Sequence, residues 1–138
     1  MRFICPITVE FNHCDPAGIV FYPRYFEMIN AVVERFLGHL GWGFRRIVTE
    51  MGCGVPLVKI GAEFVAPSRL GDALEFDLRL TRIGGASADL AIMAQAGAEV
   101  RMRVALTMVW IGPGVKAAPW PVELRARMAA YQEDGHGQ

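Results

Sequence analysis

One short segment holds the side chains best placed for chemistry: Asn12-His13-Cys14-Asp15-Pro16-Ala17-Gly18-Ile19-Val20-Phe21-Tyr22-Pro23. A carboxylate, Asp15, stands in a Pro/Gly loop that leads into an apolar stretch of helical period. The first-turn N–H groups of a helix lack intrahelical partners and carry partial positive charge. Such donors stabilise an oxyanion developing on a carbonyl. A nearby carboxylate attacks that carbonyl or takes a proton from water. The same residues also make a plain Asp-Pro turn in which Asp15 caps the loop. Residue types and spacing leave both readings open.

Other chemistries fit less well. His13, Cys14 and Asp15 are consecutive, so they do not reach one ion together, and His39 and His136 add no spaced ligand pair. No metal site is expected. Cys14 with His13 as base would be a nucleophile pair, but neighbours in an extended segment point apart. Cys14 therefore reads as a small packing residue. Residues two apart face the same side, which would let His13 tune Asp15. The Ser-centred G-x-S-x-G elbow is absent.

Several elements must position this loop. Phe3, Cys5, Ile7, Val9 and Phe11 alternate with Ile4, Pro6, Thr8 and Glu10, predicting a half-buried strand over 3–11. Pro6 implies that the strand lies at a sheet edge or starts slightly later. From Pro23 to about Leu40 apolar residues cover most of a helical wheel, with Pro23 as the first helical residue. A helix this apolar must be wrapped by other structure. Residues 44–50 suggest a short helix and 55–66 a strand of weaker alternation. Residues 72–111 read as an antiparallel meander of three long strands, with turns at Gly84-Gly85 and Gly97. The expectation is an α+β fold: an antiparallel five-stranded sheet around one long central helix. After Gly112-Pro113-Gly114 comes a tail, about 113–138, with a short helix over Pro121–Tyr131 and a frayed end from Glu133.

Composition bounds the partners. The 138 residues carry 14 Lys+Arg and 14 Asp+Glu, so the net charge is zero. That length predicts a single domain spanning 1–138. Without a basic excess or a Lys/Arg run, nucleic-acid binding is disfavoured. The longest charge-free stretch, Val104 to Val115, is 12 residues, short of the roughly 18–20 a membrane-spanning helix needs. No secretory signal is read at the N-terminus, and the three cysteines, Cys5, Cys14 and Cys53, read as reduced thiols. A cytoplasmic protein is expected. Hydrophobic residues make up 53% of the chain, and this apolar excess implies a thick core, an oligomer interface or both.

The run Cys14-Asp15-Pro16-Ala17-Gly18-Ile19-Val20-Phe21-Tyr22-Pro23, followed by Tyr25, resembles the signature of hotdog-fold acyl-CoA thioesterases. It is most similar to the branch holding 4-hydroxybenzoyl-CoA thioesterases and the Tol-Pal-linked thioesterases. Gly54-Val55-Pro56-Leu57-Val58 and the stretch Phe64 to Asp72 are similar to the family's second strand and following turn. The resemblance runs to about residue 112.

The resemblance implies hydrolysis of an acyl-CoA to free acid and CoA, with no cofactor. Asp15 would be the catalytic carboxylate, as nucleophile or general base, and the Tyr22 backbone N–H would polarise the thioester carbonyl. Gly18 would let the loop pass close to substrate. Phe21, Tyr25, Val20, His13 and Asn30 would contribute to substrate binding, and the aromatics favour an aromatic, hydroxybenzoyl-like acyl group. Two positions depart from the family: His13 where relatives carry an acid, and Asn30 where they carry Asp or Glu. Lys59, Arg82 and Ser87 are the candidate CoA contacts, with Arg69, Arg101 and Arg103 as further cations. The loop 82–87 lacks a basic cluster, which implies a looser nucleotide grip.

The family's assembly implies a homodimer or dimer of dimers (a homotetramer), with active sites at the dimer interface. The alternatives are a short-chain acyl-CoA thioesterase of the Tol-Pal-linked type, a dehydratase using His13 and Glu34, or a non-catalytic acyl-CoA-binding protein of the same fold.

Overall fold

A computed structural model describes residues 1–133. Five antiparallel strands form one sheet in the order β1-β3-β4-β5-β2. They are β1 (Phe3–Thr8), β2 (Leu57–Phe64), β3 (Ala73–Ile83), β4 (Ser87–Ala96) and β5 (Glu99–Val109). The helix α1 (Tyr22–His39) packs against the buried face of the sheet, and a short helix, α2 (Val122–Ala129), follows in the tail.

The period-2 pattern explains the core. Leu74, Phe76, Leu78 and Leu80 of β3 face inward with Leu90 and Ile92 of β4 and Met102, Val104 and Leu106 of β5. Val32, Phe36 and Leu37 of α1 pack against them, all buried. The two long hairpins of the meander form as the alternation predicts. β1 is an edge strand, as Pro6 suggests.

Local geometry departs from the pattern in three places. The first strand stops at Thr8, and residues Phe11–His13 make a 3-10 turn. Phe11 therefore points to solvent, 84% exposed, rather than into the core. The helix begins one residue early, so Pro23 is its second residue. Residues Arg45–Glu50 wind as a π-helix, a conformation that usually occurs as a single turn.

The tail is built into the fold. A small hairpin, β6 (Ile111–Gly112) and β7 (Lys116–Ala117), precedes α2 and is not apparent from periodicity. Trp120, Leu124, Met128 and Tyr131 are buried, and the Trp110 and Trp120 rings sit 5.8 Å apart. Glu133, expected to fray, donates its N–H to the Leu80 carbonyl at 2.8 Å and pairs with Arg79 at 2.7 Å. The rest of the expected frayed end, 134–138 with His136, lies outside the described residues.

Candidate functional site

The segment between β1 and α1 folds back on itself as a narrow loop. Cys14 bridges Val20, and the Asp15 N–H donates to the Ile19 carbonyl at 3.0 Å. The Gly18 N–H donates to the Asp15 carbonyl at 2.9 Å, closing a turn over Asp15–Gly18. Asp15 Oδ1 accepts the Ala17 N–H at 2.9 Å. So the turn-capping role open to Asp15 from its neighbours is present, and it occupies one carboxylate oxygen. Oδ2 has no partner among the described residues.

Gly18 has φ +80°, a conformation that L side chains disfavour. Nothing lies within 4 Å of where its Cβ would be. Within the protomer the glycine meets a backbone requirement rather than a close approach.

The N-terminus of α1 is open. The Tyr22 N–H makes no hydrogen bond among the described residues, whereas the Phe21 N–H donates to the His13 carbonyl at 3.0 Å and the Arg24 N–H to Phe21 at 2.8 Å. Pro23 has no N–H to offer. A free donor thus stands at the positive end of an 18-residue helix.

The other expected residues divide. Phe21 and Tyr22 are exposed and pack edge-to-face at 5.6 Å. Tyr25 is core, 4% exposed, with its ring 5.6 Å from Phe64. Val20 is also core, 7% exposed. His13 ends the 3-10 turn, where the sequence predicts extended backbone, and no hydrogen bond joins its ring to Asp15 among the described residues. Its Nδ1 accepts the Glu10 N–H at 2.8 Å. His13 lines a polar recess with Glu10, Glu27 and Arg35, on the β1 flank of α1.

The opposite flank of α1 holds an apolar cavity of about 550 Å³. Phe26, Ile29 and Val33 of α1 form one wall, and Phe44, Val48, Pro56 and Ile60 the other. Asn30 supplies the single polar side chain among the lining residues. Such a cavity takes an apolar group and aligns it by one hydrogen-bonding amide. Phe64 of β2 closes the nearby surface, 47% exposed, with Tyr22 and Phe26 edge-on to it at 6.4 and 6.3 Å.

Arg82 and Ser87 touch, and Lys59 lies three strands away on the same row, across the sheet from α1. Register pairs Lys59 with Thr107, Thr107 with Asp89 and Asp89 with Arg82, which makes one outward row. Arg82 donates to Asp89 Oδ2 and to Ser87 Oγ, both at 2.8 Å. The hydrogen bond from Arg82, then that from Thr107, holds the Asp89 carboxyl below the usual range. Arg103 pairs with Glu63 at 3.1 Å.

Arg101 makes a denser set of contacts. Its Nη1 donates to Asp72 Oδ2 at 2.7 Å and to Ser68 Oγ and the Pro67 carbonyl at 3.1 Å each. The Arg101 bond is the leading reason that the Asp72 carboxyl sits below its ordinary value. Reading charges along the strand marks Arg101 only as a cation. Its partners lie in a turn far away in sequence.

One strand face lacks cover. All eight residues of β2 are exposed, and β2 is the edge opposite β1. Leu57, Val58, Ile60 and Phe64 make that edge apolar.

Comparison with known proteins gives the same architecture. Residues 71 positions long in the chain are 35% identical to 4-hydroxybenzoyl-CoA thioesterase of Pseudomonas sp. (strain CBS-3), covering 50% of each chain. The chain spans about half the length of these curated relatives. Among solved structures, a 1,4-dihydroxy-2-naphthoyl-CoA thioesterase from Synechocystis superposes with TM-score 0.85 at 23% identity, over 94% of this chain and 96% of that one. A gentisyl-coenzyme A thioesterase superposes with TM-score 0.83 at 25% identity, over 92% of this chain and 99% of that one. The sheet wrapped around one helix is therefore the hotdog fold. No helix among the described residues is long and apolar enough to cross a membrane. With residues 9–128 matching the family and the strand order, central helix and Asp15 loop all in place, the chain belongs to the thioesterase-like superfamily.

Proposed function

We propose that this protein hydrolyses an acyl-CoA thioester to a free acid and CoA, with an aromatic acyl group as substrate. The observation that carries the reading is the pairing of a loop carboxylate, Asp15, with an unpartnered Tyr22 N–H at the head of a helix that walls an apolar cavity. The Tyr22 N–H holds the thioester oxygen as it gains negative charge. Asp15 either attacks the carbonyl carbon, giving a mixed anhydride that water opens, or takes a proton from the attacking water. In both routes the C–S bond breaks, the CoA thiolate leaves, and water supplies the acid's new oxygen. A thiolate is a stable leaving group, so no strong general acid is required.

The cavity and Asn30 accept the acyl group, and the relatives whose names specify hydroxybenzoyl, dihydroxynaphthoyl and gentisyl substrates support an aromatic one. Phe21 and Tyr22 extend that surface. The row Lys59, Arg82 and Ser87 is the candidate grip for the CoA nucleotide. Two copies pair along the free apolar edge of β2, which sets each site between protomers, and such dimers pair again. A flat exposed apolar edge favours a partner strand.

The test is release of free thiol from a panel of acyl-CoAs, short-chain to benzoyl, hydroxybenzoyl and long-chain, by wild type and Asp15→Asn. Release from aromatic members, falling on the order of a hundredfold or more in the variant, is expected. No release from any member by wild type would sink the hydrolase reading. Release that survives the substitution would remove Asp15 from the reaction.

A further inference from the structure

The loop that carries Asp15 is held at both ends by a single turn, residues 67–72. At the near end the Val9 N–H donates to the Asp72 carbonyl at 2.8 Å, and the Gly71 N–H donates to the Val9 carbonyl at 2.9 Å. At the far end the Val20 N–H donates to the Ser68 carbonyl at 2.9 Å, and Ile19 bridges Arg69. The turn also braces itself, since Asp72 Oδ2 accepts the Arg69 N–H at 2.9 Å.

One residue on β5 holds that turn. The Arg101 main-chain carbonyl accepts the N–H groups of Val65 and Ala66 at 2.9 and 3.2 Å. Its guanidinium reaches Pro67, Ser68 and Asp72, as described above. The Arg101 side chain is 13% exposed and Ser68 is fully buried. Glu99 Oε1 lies 2.6 Å from Arg101 Nε and sets a second carboxylate beside the guanidinium.

We infer that Arg101 is a positioning residue for Asp15, setting the loop through the turn 67–72. The inference rests on the hydrolase reading above. A planar guanidinium holds several acceptors in fixed directions, which an ammonium group on a flexible stem does not. Charge-assisted bonds away from water are the strong ones. Because the turn is bonded to both Val9 and Val20, a shift of the turn moves both ends of the loop together. A reacting carboxylate tolerates little of that, since a misplacement of about 1 Å costs on the order of a hundredfold in rate.

Three variants test this: Arg101→Lys, Asp72→Asn, and Arg79→Lys as a control whose only ion pair among the described residues is with Glu133 on the outer face. Thiol release is read as kcat and KM separately, well below each variant's melting temperature. Amide hydrogen exchange is followed at Val9 and Val20. Arg101→Lys and Asp72→Asn are expected to lower kcat roughly tenfold to a hundredfold while KM moves less than about twofold, because the acyl cavity is walled by other elements. Exchange at Val9 and Val20 is expected to quicken about tenfold or more through local opening. The control is expected to leave kcat, KM and both amides near wild type.

Unchanged kcat and unchanged exchange in both test variants would overturn the inference. A lower melting temperature with unchanged kcat would also overturn it, leaving Arg101 a purely structural residue. If wild type releases no thiol, the hydrolase reading fails and catalytic positioning fails with it, while the exchange data still decide whether the clamp exists. Should Arg101→Lys not fold, Asp72→Asn carries the test, because it keeps the shape of the side chain while removing its charge and one acceptor oxygen.

Discussion

Gly18 offers a sharp test of why the Asp15 loop has its shape. Its φ is +80°, and no heavy atom lies within 4 Å of the place a Cβ would take. A side chain there meets no neighbour in the protomer, so the cost of Gly18→Ala is conformational. Left-handed backbone costs an L-residue about 1–2 kcal/mol. Loss of freedom in the unfolded chain returns about 0.4–1 kcal/mol of that. The net destabilisation is about 1 kcal/mol, seen as a fall of roughly 3–5 °C in melting temperature for a chain of this size. Asn tolerates the left-handed region better than Ala. Gly18→Asn should therefore recover about half of the lost stability or more, and thiol release should recover with it. Thermal unfolding by circular dichroism gives the first quantity, and kcat/KM on a hydroxybenzoyl-CoA gives the second. An Ala variant as stable as wild type, or an Asn variant less stable than Ala, would refute the backbone argument. An Asn variant that is stable yet slower than Ala would show that a substrate or a second copy passes against Gly18.

Val58→Asp places a charge on the open edge of β2 at a residue 62% exposed in the protomer. It should leave the melting temperature of the isolated protomer nearly unchanged and shift the oligomer toward monomer, which light scattering coupled to size exclusion would read; an unshifted mass would exclude β2 as the pairing edge. The pair of Asp72 and Arg101 adds a pH dependence of definite sign. Its folded-state value is held below the ordinary 3.8, so the stability it contributes is present above 3.8 and is lost as the pH falls through the lowered value. The stability gap between wild type and Asp72→Asn should accordingly shrink in acid titrations below about pH 4; a gap independent of pH would contradict it. Leu124→Ala in the tail helix, a fully buried residue, should cost about 2–5 kcal/mol by urea unfolding, whereas a cost near zero would mean the tail is not part of the cooperative core.

Much of this protein is legible along the chain, because its strongest signals are local. Alternation in β3, β4 and β5 settles which apolar side chains enter the core, since successive strand residues point to opposite faces. The apolar wheel after Pro23 specifies a helix that something must wrap, and the loop Asp15 to Tyr22 carries the family signature before any fold is known. Pro6 marks β1 as an edge because proline withholds a ladder donor.

What the chain could not show is set by contacts between residues far apart in sequence. Whether Tyr25 or Phe21 faces a ligand depends on where Phe64, on another strand, comes to lie beside α1. Val20 is buried where its N–H meets the turn at Ser68, and the His13 ring nitrogen is taken by the Glu10 N–H. Trp120, Leu124 and Tyr131 read as a tail, yet the folded chain seals one end of the core with them. Arg101 reads as one more strand cation, and only the folded chain brings Pro67, Ser68 and Asp72 to its guanidinium. Periodicity reports which face of an element is apolar. It carries no information on which distant element arrives at that face, and in this fold that arrival decides how the Asp15 loop is held.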